Sequence, residues 1–399
     1  MDQVAETTRT DKVIEVSASQ DFAAWLIQAH GSMAITTYQA GKVVLVGWNG
    51  RQVSVLPRHF VKPMGLTVSG SRMALACREE IWILANAPFL APHYPEVDAN
   101  RYDALYLPRA VYTTGELNVH DLAWGTEGLW FINTRYCCLS LLSDEFSFVP
   151  KWKPPFITQL APEDRCHLNG VAMKDGKPKY VTMLGDTDTA GGWRLNKATG
   201  GMLMEVDSSE VVMRGLCMPH SPRYHDGKWW LLNSGAGELW QIDPERGDHT
   251  VVCALPGYLR GLCFVGSTYA LVGISLIREK HLWAGLPVQK RFEHRLLCGV
   301  AVVDLRDGRH VATLQFTAGA EELYDVQFLP GMLRPSILNQ TTRPAYEGVT
   351  APEFAYWLKP APAGQGDGQP QGQQPPAPGG AGEIRARGAS WPGGVKPKP

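Results

Sequence analysis

The chain has 399 residues, with 38 Lys and Arg against 39 Asp and Glu. A net charge of −1 gives nucleic acid or an anionic membrane no electrostatic attraction. No apolar run is long enough to span a bilayer, and the polar first twenty residues hold no apolar secretory core, so a cytoplasmic protein is expected. The eight cysteines show no CxxC spacing and read as reduced thiols.

In chain order, residues 1–18 read as a flexible N-terminus. A helix follows over 19–32, capped by Ser19, with Phe22, Trp25 and Leu26 on one face and Gly31 as its stop. Short β-rich runs then dominate, such as 42–46, 72–76, 228–232 and 300–303. Turn signals separate them, among them Asp175-Gly176, Asp226-Gly227 and Asp307-Gly308. Few segments carry helical periodicity, which disfavours a βαβ sheet. Residues 347–399 read as a linker and disordered tail, because 361–399 holds ten Gly and eight Pro and little apolar area to offset ordering entropy.

A weak internal repeat organises the body. The pieces starting at Pro63, Val119, Leu168, Pro219, Leu259 and Leu323 each place a small or acidic residue at the start of a strand, and most are followed by a turn and a second strand. Six units over 33–346 come to roughly 52 residues each, a plausible length for a four-stranded β-propeller blade. Three strand-like runs precede the first repeat piece, and few strands follow the last. The N-terminal strands are therefore expected to complete the final blade, closing the ring and removing exposed sheet edges. The expected fold is all-β: a single six-bladed β-propeller with a short N-terminal helix and a disordered Pro/Gly-rich C-terminal tail.

In such a ring the innermost strands line the channel, so residues at their starts meet at one mouth. The repeat puts Met64, His120, Asn169, His220, Arg260 and Tyr324 there. Asn118, His167 and Glu322 lie one pleat earlier on the same side. The antiparallel second strands return Asn133 and Asn233 to that mouth. His120, His167 and His220 are candidate ligands of a divalent transition metal (Zn, Fe, Mn or Cu), since neutral imidazoles suit those ions. Their bland reading is hydrogen bonding within a polar pore. Arg260 is a candidate clamp for a carboxylate or phosphate, with Asn133, Asn169 and Asn233 as further ligand-binding residues. A salt bridge to Glu322 or Asp325 is the alternative for Arg260. Tyr324 and Glu322 are the candidate acid/base pair. Asp121 and Asp325 come one position after the ring and are expected to bind backbone amides. Cys137-Cys138 is a vicinal pair whose redox use ranks behind two thiols on opposite strand faces. No GxSxG elbow or Walker sequence is present.

The stretches 36–42, 120–123, 164–170, 218–223, 232–235, 257–262 and 322–326 resemble a bacterial family of conserved hypothetical proteins that carry a domain of unknown function. The blade pattern is more distantly similar to gluconolactonase and strictosidine-synthase propellers. That resemblance implies a metal or substrate over the channel mouth. Gluconolactonase-like enzymes ring their metal with Glu, Asn and Asp, whereas His120, His220 and Arg260 stand here. The functional reading is a propeller that binds a small polar metabolite, with a metal-dependent enzyme at the mouth as its sharper form. A non-catalytic scaffold meeting a protein or glycan through a propeller face or the tail is the alternative. Nucleic acid and membrane are not expected partners.

Overall fold

The computed structural model describes residues 13–276 and 285–358. The described residues build six blades around a channel, each a sheet of four antiparallel strands. From the channel outward, blade 1 starts at Leu66–Ser69 and ends at Ala104–Thr113, blade 2 runs from Val119–Gly125 to Val149–Trp152, and blade 3 from Leu168–Lys174 to Val211–Leu216. Blade 4 runs from Pro219–His225 to Asp248–Ala254 and blade 5 from Tyr258–Val265 to His310–Ala318. Blade 6 takes its inner strand, Asp325–Pro330, from late in the chain and its outer three, Gly31–Thr36, Lys42–Trp48 and Val53–His59, from the start. Thr36 pairs with Asp325 and Gly31 with Pro330, so the ring closes by backbone hydrogen bonding between distant parts of the chain, as the repeat count required.

Two blades carry a fifth strand. Glu15–Ala18 pairs antiparallel with the edge of blade 5, and Pro335–Ile337 pairs parallel with the edge of blade 1. Residues 15–18 are thus an edge cover where the sequence suggested a flexible terminus. Residues 1–12 lie outside the described residues. Helix α1 spans Gln20–Ala29, shorter than the expected 19–32, and its buried face is Phe22, Trp25 and Leu26. Ser19 makes no side-chain cap; its hydroxyl accepts the Thr313 N–H at 3.0 Å and fastens the helix to blade 5. The stop is His30 in the left-handed region (φ 50°), and Gly31 already belongs to a strand. Residues 348–357, placed by composition in a linker, form a hairpin of Gly348–Ala351 and Phe354–Trp357, with Trp357 packed beside Tyr94. The expected disordered tail over 359–399 lies outside the described residues. Among the described residues no helix is long and apolar enough to cross a membrane.

Close blade contacts explain the repeat. A side chain on Gly65 would meet the His120 carbonyl at 3.1 Å, and one on Gly170 would meet the Pro222 ring and, at 3.2 Å, the Ser221 nitrogen. Gly261, at φ +78°, faces the Val326 nitrogen at 2.7 Å. Inner strands converge on the channel axis, so the residue that touches the neighbouring blade has no room for a Cβ. The following positions lock adjacent blades. Asp121 accepts the Val171 N–H at 3.0 Å, Asp325 accepts that of Leu66 at 2.9 Å, and the Ser221 hydroxyl accepts that of Gly261 at 3.2 Å. Both aspartates bind backbone amides, as alternation along the strands suggested. At mid-channel Arg223 grips Asp121 with two bonds of 2.7 and 3.0 Å. This plug divides the channel into two mouths. The one where the inner strands begin carries the candidate residues. The opposite one, a cavity of about 440 Å³, is lined by Arg223, Tyr224, Phe264, Gln327 and their neighbours.

Candidate functional site

The first mouth is a cavity of about 220 Å³. His120, Arg260 and Tyr324 of the expected ring line it, together with Asn118, His167 and Glu322 from one pleat earlier. Three of the six ring residues sit elsewhere. Met64 is core, packed with Leu122 and Phe131. Asn169 and His220 are buried outside the lining, where Asn169 Nδ2 donates to the Pro219 carbonyl at 3.0 Å and to His220 Nε2 at 3.3 Å. Asn133 and Asn233 are also buried outside the lining. The Asn133 amide oxygen accepts the Tyr136 N–H at 3.2 Å in the turn after its strand, and that of Asn233 accepts the Cys217 N–H at 2.7 Å just before the inner strand of blade 4.

Hydrogen bonding sets the tautomer of each imidazole. His120 Nδ1 lies 2.8 Å from the Asn118 carbonyl and 2.7 Å from the Thr134 hydroxyl, whose own proton goes to the Leu168 carbonyl at 2.6 Å. Only acceptors face Nδ1, so it carries the proton and Nε2 keeps its lone pair. His167 Nδ1 donates to the Asp164 carboxylate at 2.9 and 3.0 Å. That carboxylate also accepts Trp193 Nε1 at 3.1 Å, so Asp164 orients both rings. His220 Nδ1 faces the Met218 carbonyl at 3.0 Å, and its Nε2 accepts from Asn169. Burial, then His167 and Arg260, holds His120 well below the usual imidazole range, and burial with Arg260 does the same to His220. Both are neutral near pH 7.

The cation is Arg260, whose side chain is 9% exposed and lies 3.9 Å from Glu322 Oε1. Its guanidinium lies 4.8 Å from the Tyr324 ring centre and 5.3 Å from that of Tyr258. Burial alone would lower its affinity for protons, but Tyr324, Tyr258 and Glu322 outweigh burial and leave a fixed positive charge. Burial raises the Tyr324 hydroxyl well above the usual range, so it stays protonated. The Tyr324 hydroxyl and Glu322 Oε2 are both buried without a hydrogen-bond partner among the described residues. Groups of that kind in a native protein call for an explanation, and a ligand is one.

An aromatic chain crosses the cavity. Ring centres step from Tyr38 to Tyr324 at 5.4 Å, to His120 at 5.2 Å, to His167 at 4.7 Å and to Trp193 at 4.5 Å. Tyr38, Asp164, Trp193 and Arg194 were not singled out from sequence. Tyr38 arrives only through ring closure, and Trp193 and Arg194 ride on a single 3₁₀ turn, Gly192–Asn196, that no strand repeat marks. Asp164 carried a local signal: it sits three residues before His167, and both take the left-handed region, at φ 49° and 52°.

The three expected metal ligands do not converge. His220 Nε2 is engaged by Asn169 outside the cavity. Among the described residues no three His, Cys, Asp or Glu side chains form a set that could hold a metal. Cys137 and Cys138 turn to different partners, Cys137 to the Thr134 carbonyl at 3.4 Å and Cys138 to Ser140 at 3.4 Å.

A domain of unknown function (DUF4915) matches residues 20–338. No curated protein matches the sequence significantly. Solved structures similar to the chain include a nidogen/laminin complex, at 9% identity and a TM-score of 0.44, covering 75% of this chain and 98% of that one. A calcium-binding protein, regucalcin, from Agrobacterium tumefaciens str. C58 has 13% identity and a TM-score of 0.37, covering 75% and 92%. A putative 6-phosphogluconolactonase from Bacteroides uniformis ATCC 8492 has 13% identity and a TM-score of 0.39, covering 72% and 83%.

Proposed function

The chain belongs to the DUF4915 family, and on that footing we propose that it binds a small polar metabolite bearing a carboxylate at the mouth lined by Arg260, His120 and His167. The observation that carries the reading is what one small cavity gathers: a fixed guanidinium, imidazoles whose Nδ1 atoms are committed and whose Nε2 atoms are left for a ligand, and a buried tyrosine hydroxyl with no partner. A carboxylate on Arg260 gains charge-assisted hydrogen bonds in a setting drier than water. The neutral His120 imidazole adds no like charge to compete for it.

Glu322 calls for a complementary feature. Its Oε2 accepts no hydrogen bond among the described residues, so the ligand supplies a hydroxyl or amino donor as well as its carboxylate. A hydroxy acid or amino acid meets both demands. Tyr324 donates its hydroxyl to the bound molecule. His167, held by Asp164, is the group placed to accept a proton from it, an arrangement suited to general-base chemistry. A transition metal would require His220 to leave Asn169, so none of these roles is routed through a metal.

A thermal-shift screen of small carboxylic acids tests the proposal. Hydroxy or amino acids should stabilise the native protein and lose that effect in Arg260→Ala. Equal shifts in both proteins, or no shift with any carboxylate, would sink it. Elemental analysis checks the metal separately: one metal per chain, lost in His120→Ala/His167→Ala, would speak for the metal reading.

A further inference from the structure

We infer that the seam between blade 6 and blade 1 is a second, independent anion site that takes a small phosphomonoester. A cavity of about 410 Å³ opens there, walled by Arg51 on the outer hairpin of blade 6, Arg101 on the loop into the outer strand of blade 1, and Arg334 on the segment that joins the two blades. No Asp or Glu is in its wall. Arg334 Nε is buried without a hydrogen-bond partner, and none of the three guanidiniums is in an ion pair among the described residues. Arg51 and Arg101 are exposed and Arg334 is half-buried, and three like charges around one opening repel one another until an anion joins them.

The seat is built rather than incidental. The Trp48 N–H donates to the Leu333 carbonyl at 2.9 Å, tying blade 6 to the segment that carries Arg334. Asp103, on the loop that also carries Arg101, accepts the Leu333 and Arg334 N–H groups, both at 2.8 Å. Its carboxylate thus holds the backbone under Arg334. Arg58 stands behind the cavity, with Nη2 3.5 Å from the Tyr102 hydroxyl and Nε buried without a partner, and adds a fourth positive charge.

The charge count identifies the ligand class. Three planar donors around one opening suit the several oxygens of a phosphate dianion better than a single carboxylate. The volume exceeds what phosphate alone needs, and Val55, Leu56 and Tyr102 offer an apolar wall to a small organic body. The mouth balances its two guanidiniums with two carboxylates, Arg260 beside Glu322 at 3.9 Å and Arg194 beside Asp164 at 3.6 Å, and suits a less charged ligand. The two sites therefore differ in the anion each prefers.

Calorimetric titration of the full chain with inorganic phosphate, at constant ionic strength, tests the assignment. One saturable phosphate per chain is expected. Its affinity should fall at least about tenfold in Arg334→Gln and in Arg51→Gln/Arg101→Gln, and stay unchanged in Arg260→Ala. The double variant alters two exposed side chains and keeps the fold even where Arg334→Gln does not. Absence of saturable binding, binding unaffected by the double variant, or loss in Arg260→Ala alone would each overturn the assignment. So would binding only to vesicles containing phosphatidylglycerol, since that would make the patch a membrane contact. Failure here leaves the carboxylate reading of the mouth intact, because the two cavities share no lining residue.

Discussion

Asp121→Asn would remove the negative half of the channel plug. Asp121 is 4% and Arg223 20% exposed at the side chain, and the pair shares two charge-assisted bonds. Breaking a buried pair by deleting one partner costs about 3–5 kcal/mol, because the other charge stays buried. Asparagine keeps an acceptor for the Leu122 N–H but turns its amino group toward Val171 N–H, which adds about 1 kcal/mol for a lost inter-blade bond. Solvent access to Arg223 and the neighbouring Asp325 carboxylate offset part of the sum, leaving about 3 kcal/mol. At an unfolding entropy of about 2 cal/mol/K per residue, that lowers Tm by about 4 °C in a protein of this size. The substitution also changes a titration. Burial pushes Asp325 up to about 7, opposed by Arg223 and reinforced by Asp121. A carboxyl raised in the folded state contributes stability that is full below its unfolded value near 3.8 and is lost as pH rises through about 7. Without Asp121, Arg223 has Asp325 to itself, Asp325 ionises at lower pH, and this loss shrinks. Thermal unfolding reads the first effect and urea denaturation at several pH values the second. A Tm within 1 °C of wild type, or an unchanged pH slope, would refute the buried-plug reasoning.

Acidification should destabilise the native protein through His120 and His220, which are held neutral by burial. Below about pH 6.5 the unfolded chain takes up protons that the folded one refuses, so the acid-side slope should fall by about one proton in His220→Gln; an unchanged slope would count against a neutral buried imidazole there. Tyr324→Phe deletes a buried hydroxyl with no partner, so stability should hold or rise by up to about 1 kcal/mol while carboxylate affinity drops. A clear loss of stability would show that the hydroxyl already has a structural role. Gly170→Ala should cost about 1–3 kcal/mol by pushing against Thr182 of its own blade and Pro222 of the next, measured as a denaturation midpoint; no change would mean that the blades can part there.

The architecture was legible because closing a ring repeats one steric demand. Gly65, Gly170 and Gly261 mark the same approach of neighbouring blades, and Asp121, Ser221 and Asp325 hold the same repeat position in the alternate blades and lock them. These local identities survive even though the repeat is weak elsewhere. The candidate site was legible only in part. Arg260, His120 and Tyr324 reach the mouth as the register indicated, and so do His167 and Glu322. Asn169 and His220 hold equivalent positions yet are buried against each other, because blade position fixes where a backbone starts and not which neighbour a side chain finds. Tyr38 and Trp193 escaped because they come from single-turn loops with no repeat to reveal them. The hairpin over 348–357 escaped because its four-residue strands sit next to a stretch whose composition reads as a linker.

The carboxylate-binding mouth is tested most directly by a crystal structure grown with the hydroxy or amino acid that most raises Tm. The expected density lies in the cavity between Arg260 and His167, with the ligand carboxylate within hydrogen-bond reach of the guanidinium and its donor group on Glu322. A ligand found at the opposite mouth or at the blade 6 seam, with Arg260 touching only protein, would contradict the proposal.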